Sequence, residues 1–333
     1  PTIRSVTVEH NVATDNGGGV YIESVFGGCN PWLEEVDISG NVAWEDGGGL
    51  YNANCSVSME DVLIAGNKAG GDGGGFGAFR GATFFNDTLI EGNEALGSGG
   101  GIMSNDNETV FTASEIVSNT AAVDGGGAYL SWTEGSFESC LVSANTAGES
   151  GGGFYVEMDF PAILNTRITG NTAYAGGGIY SAARGDPDVI NCVVHGNRAE
   201  YRGGGLFNDD LSEVYVANSI LWMDEQDEIY DVSGSSTVVT YSTVDGGYPG
   251  VYVFGDDPLF MVVGYWDDQL TGDPADDEWV DGDYHLQPAS PCIDVANDTV
   301  SPTCDADGNA WEDVTDVGFP SAATDQGSYD CKI

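Results

Sequence analysis

The residues best placed for chemistry form a small basic group, Arg184, His195, Arg198 and Arg202, with Asp186, Asp188, Asp209 and Asp210 nearby in the chain. Cleaving an acidic polysaccharide by elimination needs a basic residue to take a proton, beside carboxylates that hold Ca²⁺ over the sugar acid. Hydrolysing a glycosidic bond needs two or three converging carboxylates instead. Asp209 with Asp210 is the one acidic pair with basic neighbours, so Asp209, Asp210, Arg198 and Arg202 are the candidate catalytic set. The plainer reading is an exposed ion-pair patch.

A second candidate is Asp305-Ala306-Asp307-Gly308-Asn309, followed by Trp311-Glu312-Asp313. Alternate oxygen ligands around a glycine turn wrap Ca²⁺ in short loops, with a later carboxylate completing the shell. Asp305, Asp307, Asn309, Glu312 and Asp313 would be the ligands; an ordinary Asp-Gly turn is the alternative. The acidic run from Asp273 to Asp283 reads as a solvated loop.

Positioning these residues is the task of a repeat. Triple glycines begin at Gly17, Gly47, Gly73, Gly99, Gly125, Gly151, Gly176 and Gly203. An asparagine precedes each, at Asn11, Asn41, Asn67, Asn93, Asn119, Asn145, Asn171 and Asn197; after a first step of 30 residues every step is 26. Two residues beyond each asparagine stands an alanine, from Ala13 to Ala199. Short apolar segments flank the unit, such as Val62-Leu63-Ile64 before the asparagine and Phe154-Tyr155-Val156 after the glycines. A period of this length, built from short β-branched and aromatic strands without helical periodicity, predicts one coil of a parallel β-helix per repeat. Coils stacked at ~4.8 Å, eight clear and about two degenerate, give a rod on the order of 50 Å tall.

Stacking gives each column a physical reason. An inward asparagine can hydrogen-bond to its counterpart one coil up, which satisfies an amide that would be costly to bury alone. That predicts a structural ladder through Asn41, Asn67, Asn93, Asn119, Asn145, Asn171 and Asn197. The alanines mark a tight interior, and the glycines permit positive φ and close backbone approach. After the glycines runs a further column, Tyr21, Tyr51, Gly77, Met103, Tyr129, Tyr155, Tyr180 and Phe207. Alternation turns it outward, where Tyr21, Tyr51, Tyr129, Tyr155, Tyr180 and Phe207 either stack on sugar rings or a partner, or pack on one another as a shielding ladder.

The chain has 7 cysteines, which points to an oxidising exterior with at least one left unpaired. Cys29 and Cys55 each precede their coil's asparagine by 12 residues, so they fall one coil apart and within disulfide range. Cys140 and Cys192 share a column but sit two coils apart, with Thr166 between. Of the last three, Cys304 with Cys331 is the favoured pair.

Composition narrows the partners. The net charge of −46 repels phosphate backbones and anionic lipid heads, which argues against nucleic acid and membrane surfaces. No apolar run reaches the length of a membrane helix, and a saline or calcium-containing exterior would screen the self-repulsion. Pro1 in place of Met points to a processed or trimmed chain. The strand beginning Pro1-Thr2-Ile3-Arg4 enters directly in register with later coils. Its open edge predicts end-to-end assembly, or an upstream domain, through the first coil.

On the Asn-x-Ala-x-x-x-Gly-Gly-Gly unit the sequence resembles the secreted parallel β-helix repeat proteins related to bacterial polymorphic outer-membrane proteins. Asn218-Ser219-Ile220-Leu221-Trp222, Asp257-Pro258-Leu259-Phe260, Gly282-Asp283-Tyr284-His285-Leu286 and Ser290-Pro291-Cys292-Ile293-Asp294 resemble the closing segment of such proteins. The stretch Thr324 to Asp330 departs from their usual Asp-Ile-Gly-Ala finish. The resemblance implies an all-β fold, a right-handed parallel β-helix over residues 1–260 and an irregular acidic cap over 261–333. It also implies an exported or cell-surface protein, structural or adhesive. A polysaccharide lyase or hydrolase on the same fold is the alternative, although the Asn-Thr-Asp and Gly-His-Gly signatures of polygalacturonases are missing.

Overall fold

The computed structural model describes residues 1–25, 28–133, 135–232, 234–269 and 277–293. Each repeat forms one coil of a parallel β-solenoid of about nine turns, and the described residues are all-β without a helix. In a central coil the long strand Ile102–Thr112 is followed by Glu115–Val117 and then by Thr120–Ala121. Corresponding segments pair in parallel with unshifted register: Ile38 lies on Ile64, then Ile90, Ile116 and Val142 in successive coils.

Corners are made by residues in the left-handed region. Asp61, Asp87, Ala113, Ser139, Asn165 and Asn191 take φ between 45° and 57° at one corner. Asparagine and aspartate tolerate this conformation best; Ala113 and Ser139 accept a cost of roughly 1–2 kcal/mol because the stacked coils above and below fix the bend. The triplet Gly47-Gly48-Gly49 shows why three glycines recur. Gly47 holds φ +66°, a Cβ on Gly48 would strike the Gly74 carbonyl oxygen at 2.2 Å, and one on Gly49 would strike Asn67 Nδ2 at 2.9 Å.

Inside, the asparagines form a continuous ladder. Asn119 Nδ2 donates to Ile90 O (2.9 Å) and Asn145 Oδ1 (3.0 Å), while its own Oδ1 accepts from the backbone N–H and Nδ2 of Asn93 (3.0 and 2.9 Å). The pattern runs from Asn11 to Asn197, whose amide donates to Asp224 Oδ1 at 2.8 Å. Beside it the apolar core stacks in its own columns, with Phe85, Phe111 and Phe137 at centroid distances of 4.0 and 5.0 Å. Cys29 and Cys55 are joined as a disulfide with Cα atoms 5.0 Å apart. Cys140 and Cys192 are free and buried, and burial pushes both thiols up to about 12. Cys304 and Cys331 lie outside the described residues.

After the last solenoid strand, Gly250–Phe254, the chain turns onto the side of the rod. Phe260–Val262 pairs antiparallel with Asp283–Leu286, and Tyr265–Asp267 with Glu278–Val280. Phe260, Tyr284, Leu286 and Cys292 bury the outward side chains of Val193 and Ile220. His195, itself fully buried, reaches Trp222 O with Nδ1 (2.7 Å) and Gly264 O with Nε2 (3.2 Å), which ties this segment to the coils.

Candidate functional site

The aromatic column sits on the strands that follow the glycines, one residue after the core positions Leu50, Phe76, Ile102, Ala128, Phe154, Ile179 and Leu206, all fully buried. Period-two alternation therefore turns it to the outer face. Its rings cover one another: Tyr129, Tyr155, Tyr180 and Phe207 stack at 5.0, 5.3 and 4.9 Å with interplanar angles of 5°, 5° and 10°. Tyr21 and Tyr51 stack at 5.8 Å, and Phe207 continues onto Tyr230 at 5.2 Å. Gly77 is the gap in this column because the Tyr51 ring occupies its place, 2.9 Å from where a Cβ would stand. Tyr51 and Phe207 are buried, Tyr129, Tyr155 and Tyr180 are half-buried, and Tyr21 is exposed.

Carboxylates line this stripe. Tyr129 Oη donates to Glu157 Oε1 (2.7 Å), which also accepts from Ser131 Oγ (2.9 Å); Tyr180 Oη donates to Asp209 Oδ2 (3.2 Å). Burial raises the Tyr129, Tyr155 and Tyr180 phenols well above their ordinary range, so they remain neutral donors. Burial also raises Asp124 to about 6, against the pull of the Ser150 backbone N–H that its Oδ1 accepts at 3.0 Å. The stripe is thus an apolar row of rings packed on one another, with a hydrogen-bonding acidic rim.

Arg198, Arg202, Asp209 and Asp210 are engaged separately. Arg198 pairs with Glu225 (2.9 Å) and Asp277 (2.5 Å), with its guanidinium 4.2 Å from the Trp266 ring centroid. Arg202 pairs with Asp227 at 2.9 Å beside the Tyr230 ring. Asp209 holds Tyr180 and caps the Asp210 backbone N–H at 2.7 Å. No hydrogen bond or ion pair among the described residues joins the two arginines to Asp209 or Asp210. The proposed calcium ligands Asp305, Asp307, Asn309, Glu312 and Asp313 lie outside the described residues, which themselves contain no cluster of three or more metal-ligating side chains.

Two features escaped the sequence reading. The residue before each of the first six triplets joins another ladder: Asn16 Oδ1 accepts from the Asp46 N–H (2.8 Å), Asp46 Oδ1 from Asp72 (2.8 Å), Asp72 Oδ1 from Ser98 (2.7 Å), Ser98 Oγ from Asp124 (3.4 Å) and Asp124 Oδ1 from Ser150 (3.0 Å). Its signal was a run of short side chains with an oxygen acceptor at one fixed place in the unit. The other is Asp224, the ninth rung of the asparagine ladder, displaced by one residue from the 26-residue step.

No family model matches the chain, and neither the curated proteins nor the solved structures give a match. Fold and columns define its class, a parallel β-solenoid whose repeated positions bind one another along the rod.

Proposed function

We propose that this chain is an extracellular structural or adhesive surface protein, a rigid rod able to join end to end. The observation that supports this most is the engagement of each repeated polar or aromatic column with its own next rung. Identical rungs make a scaffold, whereas a catalytic centre requires unlike groups converging on one point. The disulfide fits an oxidising exterior. The repeat's resemblance to proteins related to polymorphic outer-membrane proteins supports a surface location. Among the described residues no helix is long and apolar enough to cross a membrane.

Every described coil pairs in parallel with its neighbour, so a rod of this kind can be lengthened by another parallel coil at either end. Calcium held by Asp305, Asp307, Asn309, Glu312 and Asp313 belongs to the same reading. The test is turnover on acidic and neutral extracellular polysaccharides with the unaltered chain and with Asp209→Ala. No turnover by either supports the scaffold; turnover that Asp209→Ala abolishes overturns it in favour of a carbohydrate-active enzyme.

A further inference from the structure

We propose that the outer flank of the early coils, around Leu63 and Leu89, is a docking surface for an extended segment of a partner protein carrying an aromatic residue beside lysine or arginine. The chain itself supplies the template. One outward column runs in unbroken register from Asp37 through Leu63, Leu89, Glu115, Leu141, Arg167 and Val193 to Ile220. Its last part is covered by the chain's own closing segment.

There Trp279 lies flat on Gly170 and Gly196, so that a Cβ on either would strike the indole at 2.1 and 2.2 Å. Trp266 Nε1 donates to Gly196 O at 2.8 Å, and the acidic side chains Asp281 and Asp277 meet Arg167 and Arg198. Gly66 and Gly92 repeat the same shelf three to five coils earlier, with φ of +60° and +59° against +60° and +65°, and no described atom lies within 4 Å of a Cβ placed on them. At the other end of the short strands Leu63–Ala65 and Leu89–Glu91 that lead to these glycines, an open groove of about 390 Å³ is lined by Leu63, Leu89 and Val62 together with Asp37, Asp61 and Asp87.

Charge selects the occupant. Where the covered flank offers arginines to an acidic hairpin, the open flank has leucines ringed by carboxylates; its lysine, Lys68 in the Arg198 column, is already paired with Glu94, and Asp37 Oδ1 is buried there without a hydrogen-bond partner. A second copy's closing hairpin, and this chain's residues 294–333 with a single lysine among many acids, carry the wrong sign for it. An aromatic ring fits the glycine shelf, and a neighbouring cation answers the carboxylates.

The experiment measures fluorescence anisotropy of a labelled synthetic peptide of alternating lysine and tryptophan on the full chain at ~0.15 M salt, where distant charges are screened. Leu63→Lys with Leu89→Lys is compared with Thr120→Lys and Thr146→Lys, an equal charge change on the other sheet. The groove variant is expected to weaken binding by about tenfold or more and the control by about twofold or less. The proposal is overturned if both variants weaken binding equally, if replacing tryptophan by alanine leaves affinity unchanged, or if the glutamate version of the peptide binds as well. Should the groove variant fail to fold, a photoreactive residue in place of tryptophan, used on the unsubstituted chain, is expected to cross-link within residues 61–66 or 87–92. Cross-links confined to other coils, or concentration-dependent self-association blocked by the peptide, would overturn it as well.

Discussion

At the ninth rung of the asparagine ladder the chain has Asp224, and the substitution Asp224→Asn isolates what the ladder contributes. Asp224 Oδ1 accepts from Asn197 N and Nδ2 at 2.7 and 2.8 Å, as every lower rung does. Its Oδ2 stands where the other rungs carry Nδ2, 2.9 Å from a Cβ on Gly205, and is buried with only the Glu228 carboxyl to share a proton with, in place of an amide donor. Lower amides donate there to a carbonyl, Ile168 O in the case of Asn197, whose register equivalent is Val194. Glu228 completes the misfit: its Oε1 accepts the Asp224 N–H at 3.0 Å, while burial and the nearby Asp224 charge push its carboxyl up to about 11. Asp224 is raised too, first by burial. Carboxyls raised in the folded state hold protons that the unfolded chain has released, so this pair's penalty is absent below about pH 4 and grows as pH rises. At about 1.4 kcal/mol for each pH unit above an ordinary carboxyl, roughly 3 kcal/mol is at stake by pH 7. Asparagine removes one charge and restores a donor, and desolvation of Glu228 keeps part of the penalty. We expect Asp224→Asn to raise the unfolding free energy by about 1–3 kcal/mol at pH 7 and by little at pH 4. Urea denaturation at both pH values is the assay. A loss of stability at pH 7, or a gain independent of pH, would refute the reasoning.

Further tests follow from the same columns. Reducing Cys29–Cys55, or replacing both by serine, opens a loop of 26 residues and should cost about 3.5 kcal/mol, read as a shift in the denaturation midpoint against the oxidised chain. Asn119→Ala severs four side-chain hydrogen bonds in the buried interior and should cost about 3–5 kcal/mol, with native amide exchange accelerating in the coils on either side. Calcium at constant ionic strength should raise the melting temperature through residues 305–313; an unchanged value on chelation would remove them as a site.

The solenoid was legible because its period is carried by residues with no substitute: an asparagine that must meet its copy, an alanine with no room for more, glycines under a neighbouring backbone. The Cys29–Cys55 pair followed from register alone, since equal offsets from Asn41 and Asn67 place the two residues one coil apart. Proximity around Arg198 was harder to read. Sequence neighbours in a solenoid diverge onto different faces, so Asp209 went to Tyr180 while Arg198 met Glu225 one coil away and Asp277 in the closing segment. Trp279 on the shelf of Gly170 and Gly196 had no signal in the sequence, because one contact between distant segments leaves no period.

Electron microscopy of the native material, with antibody labelling on the producing cells, tests the central claim most directly. The account predicts label on slender rods or filaments at the cell surface. Dispersed single particles in the medium, together with turnover of an extracellular polysaccharide that Asp209→Ala abolishes, would contradict it.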